Sequence, residues 1–191
     1  NALGGSANFR TIGVDDVVFA GEKVGARTKM SAGNNGVGRS AMLAVAMKNP
    51  AFDGGSVGFM AATSASVIGN NYKNGKGTDS EEFGFGYNRF YKQKPKSQLL
   101  KLDLKLSDFH ALELSARDYR NTFTRRDIRS DDYYVKYHYT PFSELIDLNV
   151  TASSSRGKQK YMPEALINFV NTSTANRADA FDINNTSSFK L

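Results

Sequence analysis

A chain of 191 residues, 40% of them hydrophobic, is long enough for one domain with a core of its own. It has no cysteine, which excludes a disulfide framework, a thiolate metal site and a cysteine nucleophile but leaves the redox compartment open. The 25 Lys and Arg against 19 Asp and Glu give a net charge of +6, yet the bases alternate with acids instead of forming a block, which argues against nucleic acid as a partner.

The 17 Gly, 9 Tyr and 13 Phe, against 4 Pro and no Trp, favour aromatic-rich strands joined by glycine turns over packed helices. No apolar run is long enough for a transmembrane helix, which needs about 18 residues. A transmembrane β-barrel needs only segments of about 10 residues with alternating polarity, and that option stays open.

The opening "NALGGSANFRTIGVDD" sets the paired Gly4 and Gly5 before a strand-like run, Ser6 to Ile12. Glycine turns sharply at little steric cost, so the pair predicts a tight bend ahead of a strand. Further strands are expected at about 24–34, 40–48 and, after the turn "NPAFDGG", 56–68. The clearest alternation is Leu100, Leu102, Leu104 and Leu106 against Lys101, Asp103 and Lys105. It turns at "SDFH" and resumes with Leu112, Leu114 and Ala116 against Glu113, Ser115 and Arg117, which predicts a hairpin.

A second hairpin follows. Tyr133, Val135, Tyr137 and Tyr139 alternate with Tyr134, Lys136 and His138; "TPFSEL" turns the chain; Ile146, Leu148, Val150 and Ala152 then alternate with Asp147, Asn149, Thr151 and Ser153. The last strand is expected at 181–191. The total is about eight long antiparallel strands, with long connections near 69–97, 121–132 and 157–180 at one end and short ones near 49–55, 107–111 and 140–145 at the other.

Two architectures suit such a meander. A soluble sandwich or lipocalin-like barrel turns its apolar face inward onto a densely filled core. A membrane barrel turns it outward and lines its lumen with polar side chains, here Lys101, Asp103, Lys105, Glu113, Arg117, Lys136, Asp147 and Asn149. Short turns at one end and long loops at the other fit the second. So do aromatic girdles: Phe109, Tyr137, Tyr139 and Phe142 fall beside the short turns, and Tyr87, Phe90, Tyr91, Tyr119, Phe123, Tyr133 and Tyr161 toward the long loops.

The Gly-rich "NALGGSANFRT", followed by "TIGVDDVV", the loop "NNYKNGKG", the strand and loop "LNVTASSSRGKQKY" and the closing "FDINNTSSFKL", resembles TonB-dependent outer-membrane receptors, in particular haem and hemophore receptors of the HasR type. The resemblance spreads over nearly the whole chain and rests on the order of short motifs. It implies an all-β fold: a sector of about eight strands from a larger antiparallel transmembrane β-barrel, preceded by the last strand of a plug. Receptor barrels of this size have about 22 strands. Residues 1–20 would then be the end of the plug and its junction with the wall, with Gly4, Gly5 and Arg10 at the junction, and 21–191 the first part of the barrel. Asn1 would lie inside a longer receptor.

The same resemblance implies a transporter in the bacterial outer membrane that imports haem, delivered free or by a haem-carrier protein, and is energised by the TonB complex through segments outside this sequence. A siderophore receptor, a soluble secreted β domain that binds a ligand and a small eight-stranded barrel complete in itself are the alternatives. An enzyme is not expected, because no Ser-containing elbow, HExxH helix or phosphate loop is present. No catalytic or metal-binding residue is assigned. Haem would be transported cargo, with axial ligands outside this chain; His110 and His138 fall near the short turns and are poor candidates. Recognition is expected of the long loops, where Tyr72, Lys73, Tyr91, Arg125, Arg126 and Arg129 supply anchors and charge toward haem propionates or an acidic partner.

Overall fold

The computed structural model describes residues 10–51, 54–69, 73, 75–78, 92–123, 126–142, 145–161 and 173–186. The chain is all-β. Its strands are β1 (Val24–Gly33), β2 (Gly38–Ala51), β3 (Gly55–Val67), β4 (Lys96–Lys105), β5 (His110–Phe123), β6 (Arg126–Tyr139), β7 (Leu148–Tyr161) and β8 (Ser173–Asn185). Each pairs antiparallel with its neighbours in chain order, giving one open eight-stranded sheet. The one helical element among the described residues is a 3-10 turn, Val14–Asp16.

The connections alternate between two ends. At one end lie 52–54, 106–109 and 140–147; at the other lie 34–37, 68–95, 124–125 and 162–172. The expected asymmetry therefore holds only for 68–95 and 162–172. The turn at 34–37 is tight because Asn35 (φ 48°) and Gly36 (φ 89°) take left-handed backbone, which these two residue types tolerate best.

Three expectations are corrected. The strand expected over residues 6–12 is absent at residues 10–12, the part of it that lies among the described residues. Residues 121–132 are not a long loop: β5 runs to Phe123, β6 starts at Arg126, and Phe123 pairs with Arg126. The charge density that reads as loop is strand surface, where Arg117 pairs with Asp132 at 2.7 Å and Thr122 with Asp127 at 3.0 Å. The final strand is Ser173–Asn185, not 181–191, because "STANRADA" continues the ladder with β7 despite its weak apolar signal.

Register sorts the two faces. One row crosses all eight strands as Val24, Met47, Phe59, Leu102, Leu114, Val135, Ala152 and Phe181, each the partner of the next. The row below it holds Val57, Leu104, Leu112, Tyr137, Val150 and Ile183, and the row above Ala26, Val45, Ala61, Leu100, Ala116 and Tyr133. Together they make an apolar belt that no described part of the chain covers: Phe181 is 68% and Ile183 61% exposed. With the row of Tyr139 and Leu148 the belt is about 20 Å long on the strands, and Leu106, Phe142, Leu145 and Ile146 carry it into the turns.

The other face is polar except where the amino-terminal segment lies on it. There Val14, Val17 and Val18 pack against Ala44, Ala46, Met60 and Leu99, the buried apolar core of the described residues. Small residues let the segment approach: a Cβ on Gly25 would stand 2.1 Å from the Val17 carbonyl oxygen, and one on Gly58 3.0 Å from Val14.

Candidate functional site

Two surfaces follow from the alternation, a polar face that meets the amino-terminal segment and the bare apolar belt. On the polar face the rows run Met60, Lys101, Ser115, Tyr134 and, one step lower, Gly58, Asp103, Glu113, Lys136. The Lys101 ammonium, only 5% exposed, meets Glu113 at 2.5 Å, and the Tyr134 hydroxyl donates to the same carboxylate. Lys101 also lies 5.6 Å from the centre of the Tyr134 ring. Burying an ammonium is costly without such a partner. Asp103 and Glu113 face one another as like charges, and Lys101 and Lys136 flank them.

The segment over this face is tied by charge as well as by its valines. Asp15 takes Lys48 of β2 at 2.6 Å. Arg10 holds Asp16 through two hydrogen bonds of 2.7 Å, and the Gly13 N–H donates to the same carboxylate at 2.8 Å. The guanidinium first, and the Gly13 N–H second, hold the Asp16 carboxyl down to about 2. The partner effect raises the Arg10 guanidinium in turn. A cleft of about 430 Å³ opens between the segment and the wall, lined by Asp15, Lys48, Asp103, Lys105, Glu113 and Lys136 among others. Its mixed charges suit polar contact with chain or water.

The expected lipid-side residues, Leu102, Leu104, Leu112, Leu114, Leu148 and Val150, do share one face. Lys101, Asp103, Lys105, Glu113, Arg117, Lys136 and Asn149 share the other. At the short-turn end Phe109 and Phe142 meet edge to face at 4.6 Å, and His110 stacks on Tyr139 at 4.7 Å, so that group of aromatics is a physical cluster. Of the other group, Tyr119 and Tyr161 turn to the polar face and Tyr133 stays on the belt, while Tyr87, Phe90 and Tyr91 lie outside the described residues.

Of the residues assigned to recognition, Tyr72, Tyr91 and Arg125 lie outside the described residues, as do Gly4 and Gly5 of the junction. The Lys73 N–H donates to the Asn35 side chain at 2.6 Å, which sets Lys73 against the β1–β2 turn. Arg126 and Arg129 belong to β6, not to a loop, and alternation puts them on opposite faces. Arg126 lies 4.9 Å over the Tyr161 ring, while Arg129 reaches Asp118 at 3.2 Å and Asp131 at 3.3 Å. These two therefore do not form a single clamp. His110 hydrogen-bonds the Tyr137 hydroxyl at 2.6 Å, and His138 meets Asp147 at 2.8 Å, so both imidazoles are engaged near the short-turn end. Among the described residues no three His, Asp or Glu stand together as metal ligands would.

Sequence reasoning misses the docking of Val14, Val17 and Val18. The signal is present in the small residues Gly25, Ala44, Ala46 and Gly58 on an otherwise polar face, but their meaning needs the partner segment. No family model matches the chain. No solved structure matches it either.

Proposed function

We propose that this chain is a sector of the wall of a TonB-dependent outer-membrane receptor, with residues 1–20 as the end of its plug and 21–191 as the first part of its barrel. The observation that carries the reading is the belt: one face is apolar across all eight strands, and the opposite face is polar except beneath the amino-terminal segment. A soluble sandwich would cover such a belt with a second sheet; lipid covers it in a membrane barrel.

The slope of the belt supports the same reading. Its upper edge reaches Met30, Ala41 and Ala65 on β1–β3 but stops two rows lower, at Leu100, Ala116 and Tyr133, on β4–β6. Its lower edge moves the same way, ending at Met47 above Asn49 on β2 and reaching Tyr139 and Leu148 on β6 and β7. Strands of a closed barrel tilt about 35–45° to its axis, so a band level with the membrane crosses successive strands at shifting rows.

The protein works as a transporter, not an enzyme. Its cargo is haem, free or on a carrier protein; this part rests on the resemblance of the short motifs to haem and hemophore receptors. TonB acts through segments outside this chain.

The test is site-directed spin labelling of the protein in lipid vesicles. Labels at 102, 114, 135 and 183 are expected to be quenched by a lipid-soluble reagent, and labels at 136 and 153 by a water-soluble one. Water-soluble quenching at the first four would remove the barrel reading. Titration of the native receptor with haem and with a ferric siderophore separates the two cargo classes.

A further inference from the structure

The turn that joins β1 to β2 carries an Asn-Gly pair, Asn35 and Gly36, with Asn35 exposed. In such a pair the side-chain amide is readily attacked by the next backbone nitrogen, because glycine has no Cβ to obstruct the approach and its backbone lets a five-membered ring close. Asn35 stands at φ 48° and Gly36 at φ 89°, and the Val37 N–H closes the turn on the Asn34 carbonyl at 3.1 Å. Among the described residues the Gly36 N–H donates to none, so no hydrogen bond there holds the attacking nitrogen back.

A further contact sets this turn apart from a bare Asn-Gly. The Lys73 N–H, from a residue 38 positions along the chain, donates to the Asn35 Oδ1 at 2.6 Å. A donor so placed polarises Cγ, and it lies where Oδ1 becomes an anion once Cγ turns tetrahedral, the arrangement that lowers barriers to acyl transfer. A cleft of about 760 Å³ lined by Asn34, Asn35, Arg39 and Lys73 among others adjoins the amide, and these four residues are exposed, so water reaches the site.

We infer that Asn35 is a self-deamidation site, in which the Gly36 nitrogen attacks Cγ of Asn35 and the Lys73 N–H takes up the charge that develops on Oδ1. The inference does not rest on the barrel reading. The Gly36 nitrogen gives its proton to water and bonds to Cγ. The Cγ–Nδ2 bond then breaks, and Nδ2 leaves as ammonia with a proton returned from water. The product is a five-membered imide, formed without any change of oxidation state. Water opens that ring at Cγ to give aspartate, or at the main-chain carbonyl to give isoaspartate. Either product sets a carboxylate in the cleft with Arg39 and Lys73. Isoaspartate also lengthens the main chain by a methylene just before Gly36, whose carbonyl accepts the Gly69 N–H at 2.8 Å. The hold of this turn on the chain that leaves β3 is thereby loosened.

The test is peptide mapping of the intact native protein held in mildly alkaline buffer. Trypsin releases the segment from Met30 to Arg39, which carries the site, and a zero-time sample corrects for conversion during digestion. Amide-to-acid conversion is expected at Asn35 and not at Asn34, whose attacking nitrogen belongs to a residue with a Cβ. It is expected to run at least as fast in the native protein as in the urea-unfolded chain. A native rate about tenfold below the unfolded one would show that the turn protects the amide, and would overturn the site. Lys73→Pro removes the N–H and is expected to slow conversion about tenfold, less than an oxyanion donor contributes in a closed active site. Lys73→Gln keeps the N–H and is expected to stay within about twofold of wild type, because the exposed charge it removes is screened. Equal rates for Lys73→Pro and wild type would overturn the role of the donor and the inference with it.

Discussion

Arg120 and Arg129 face each other across β5 and β6 and share one carboxylate, Asp118, at 3.1 Å and 3.2 Å. The contacts are exposed, and pairs of this kind contribute about 0.2–1 kcal/mol each. Asp118→Asn is therefore expected to lower unfolding free energy by no more than about 2 kcal/mol at low salt, since two such pairs are lost. The loss should fade at molar salt, where screening acts over about 3 Å. Urea titration of vesicle-folded protein at two ionic strengths measures both.

The row through Leu102, Leu114 and Val135 lies midway up the belt. Leu102→Arg is expected to cost about 2–4 kcal/mol in the membrane, while Ser153→Arg on the polar face stays near wild type. The same urea titration reads the difference, and equal costs would contradict the assignment of faces.

Gly25 tests the docking of the amino-terminal segment. An added Cβ would meet the Val17 carbonyl oxygen at 2.1 Å, a backbone atom that cannot turn aside. Gly25→Ala is expected to cost about 1–3 kcal/mol and to speed hydrogen exchange at Val17 and Val18 selectively. Gly157→Ala, with open space around the new methyl, serves as the control.

Glu113 is the anionic partner of an ammonium that is nearly inaccessible. Glu113→Gln leaves Lys101 buried without its counter-charge, an arrangement that costs about 3 kcal/mol or more. Adding Lys101→Met should recover most of that loss, because the buried charge is then gone. A double-mutant cycle in thermal or urea unfolding gives the coupling, and additive losses would refute a buried pair.

Asp16 carries a pH signature. Its carboxyl is held at about 2 against an ordinary 3.8, so the native segment binds fewer protons than the unfolded one between those values. The contribution to the local fold of residues 10–16, where Arg10, Gly13 and Asp16 bond among themselves, is whole above about pH 4 and is lost as pH falls through about 2. Arg10→Gln, which removes the largest cause, should move the Asp16 midpoint up toward 3.8. Carboxyl NMR from pH 5 to pH 2 follows the midpoint, and protease cleavage within residues 10–20 follows the loosening.

The division of the sheet into an apolar and a polar face is legible in the chain, because a strand turns successive side chains to opposite sides. Leu100 to Leu106 against Lys101 to Lys105 carries that information residue by residue. Strand number and antiparallel order are legible for the same reason, with tight turns such as 34–37 and 106–109 leaving no room for a crossover.

Register is not legible, and two features depend on it. Arg120 stands opposite Arg129, and Arg129 opposite Lys158, only once the strands are aligned, while in sequence these are scattered bases among acids. Residues 121–132 read as loop for the same cause: the pairing of Arg117 with Asp132 stabilises a charged strand surface only once the two strands are aligned. The seat of Val14, Val17 and Val18 on Met60, Ala44 and Ala46 is likewise a tertiary decision. Those contacts join positions far apart along the chain, and burial depends on which face the segment crosses, which local periodicity does not encode.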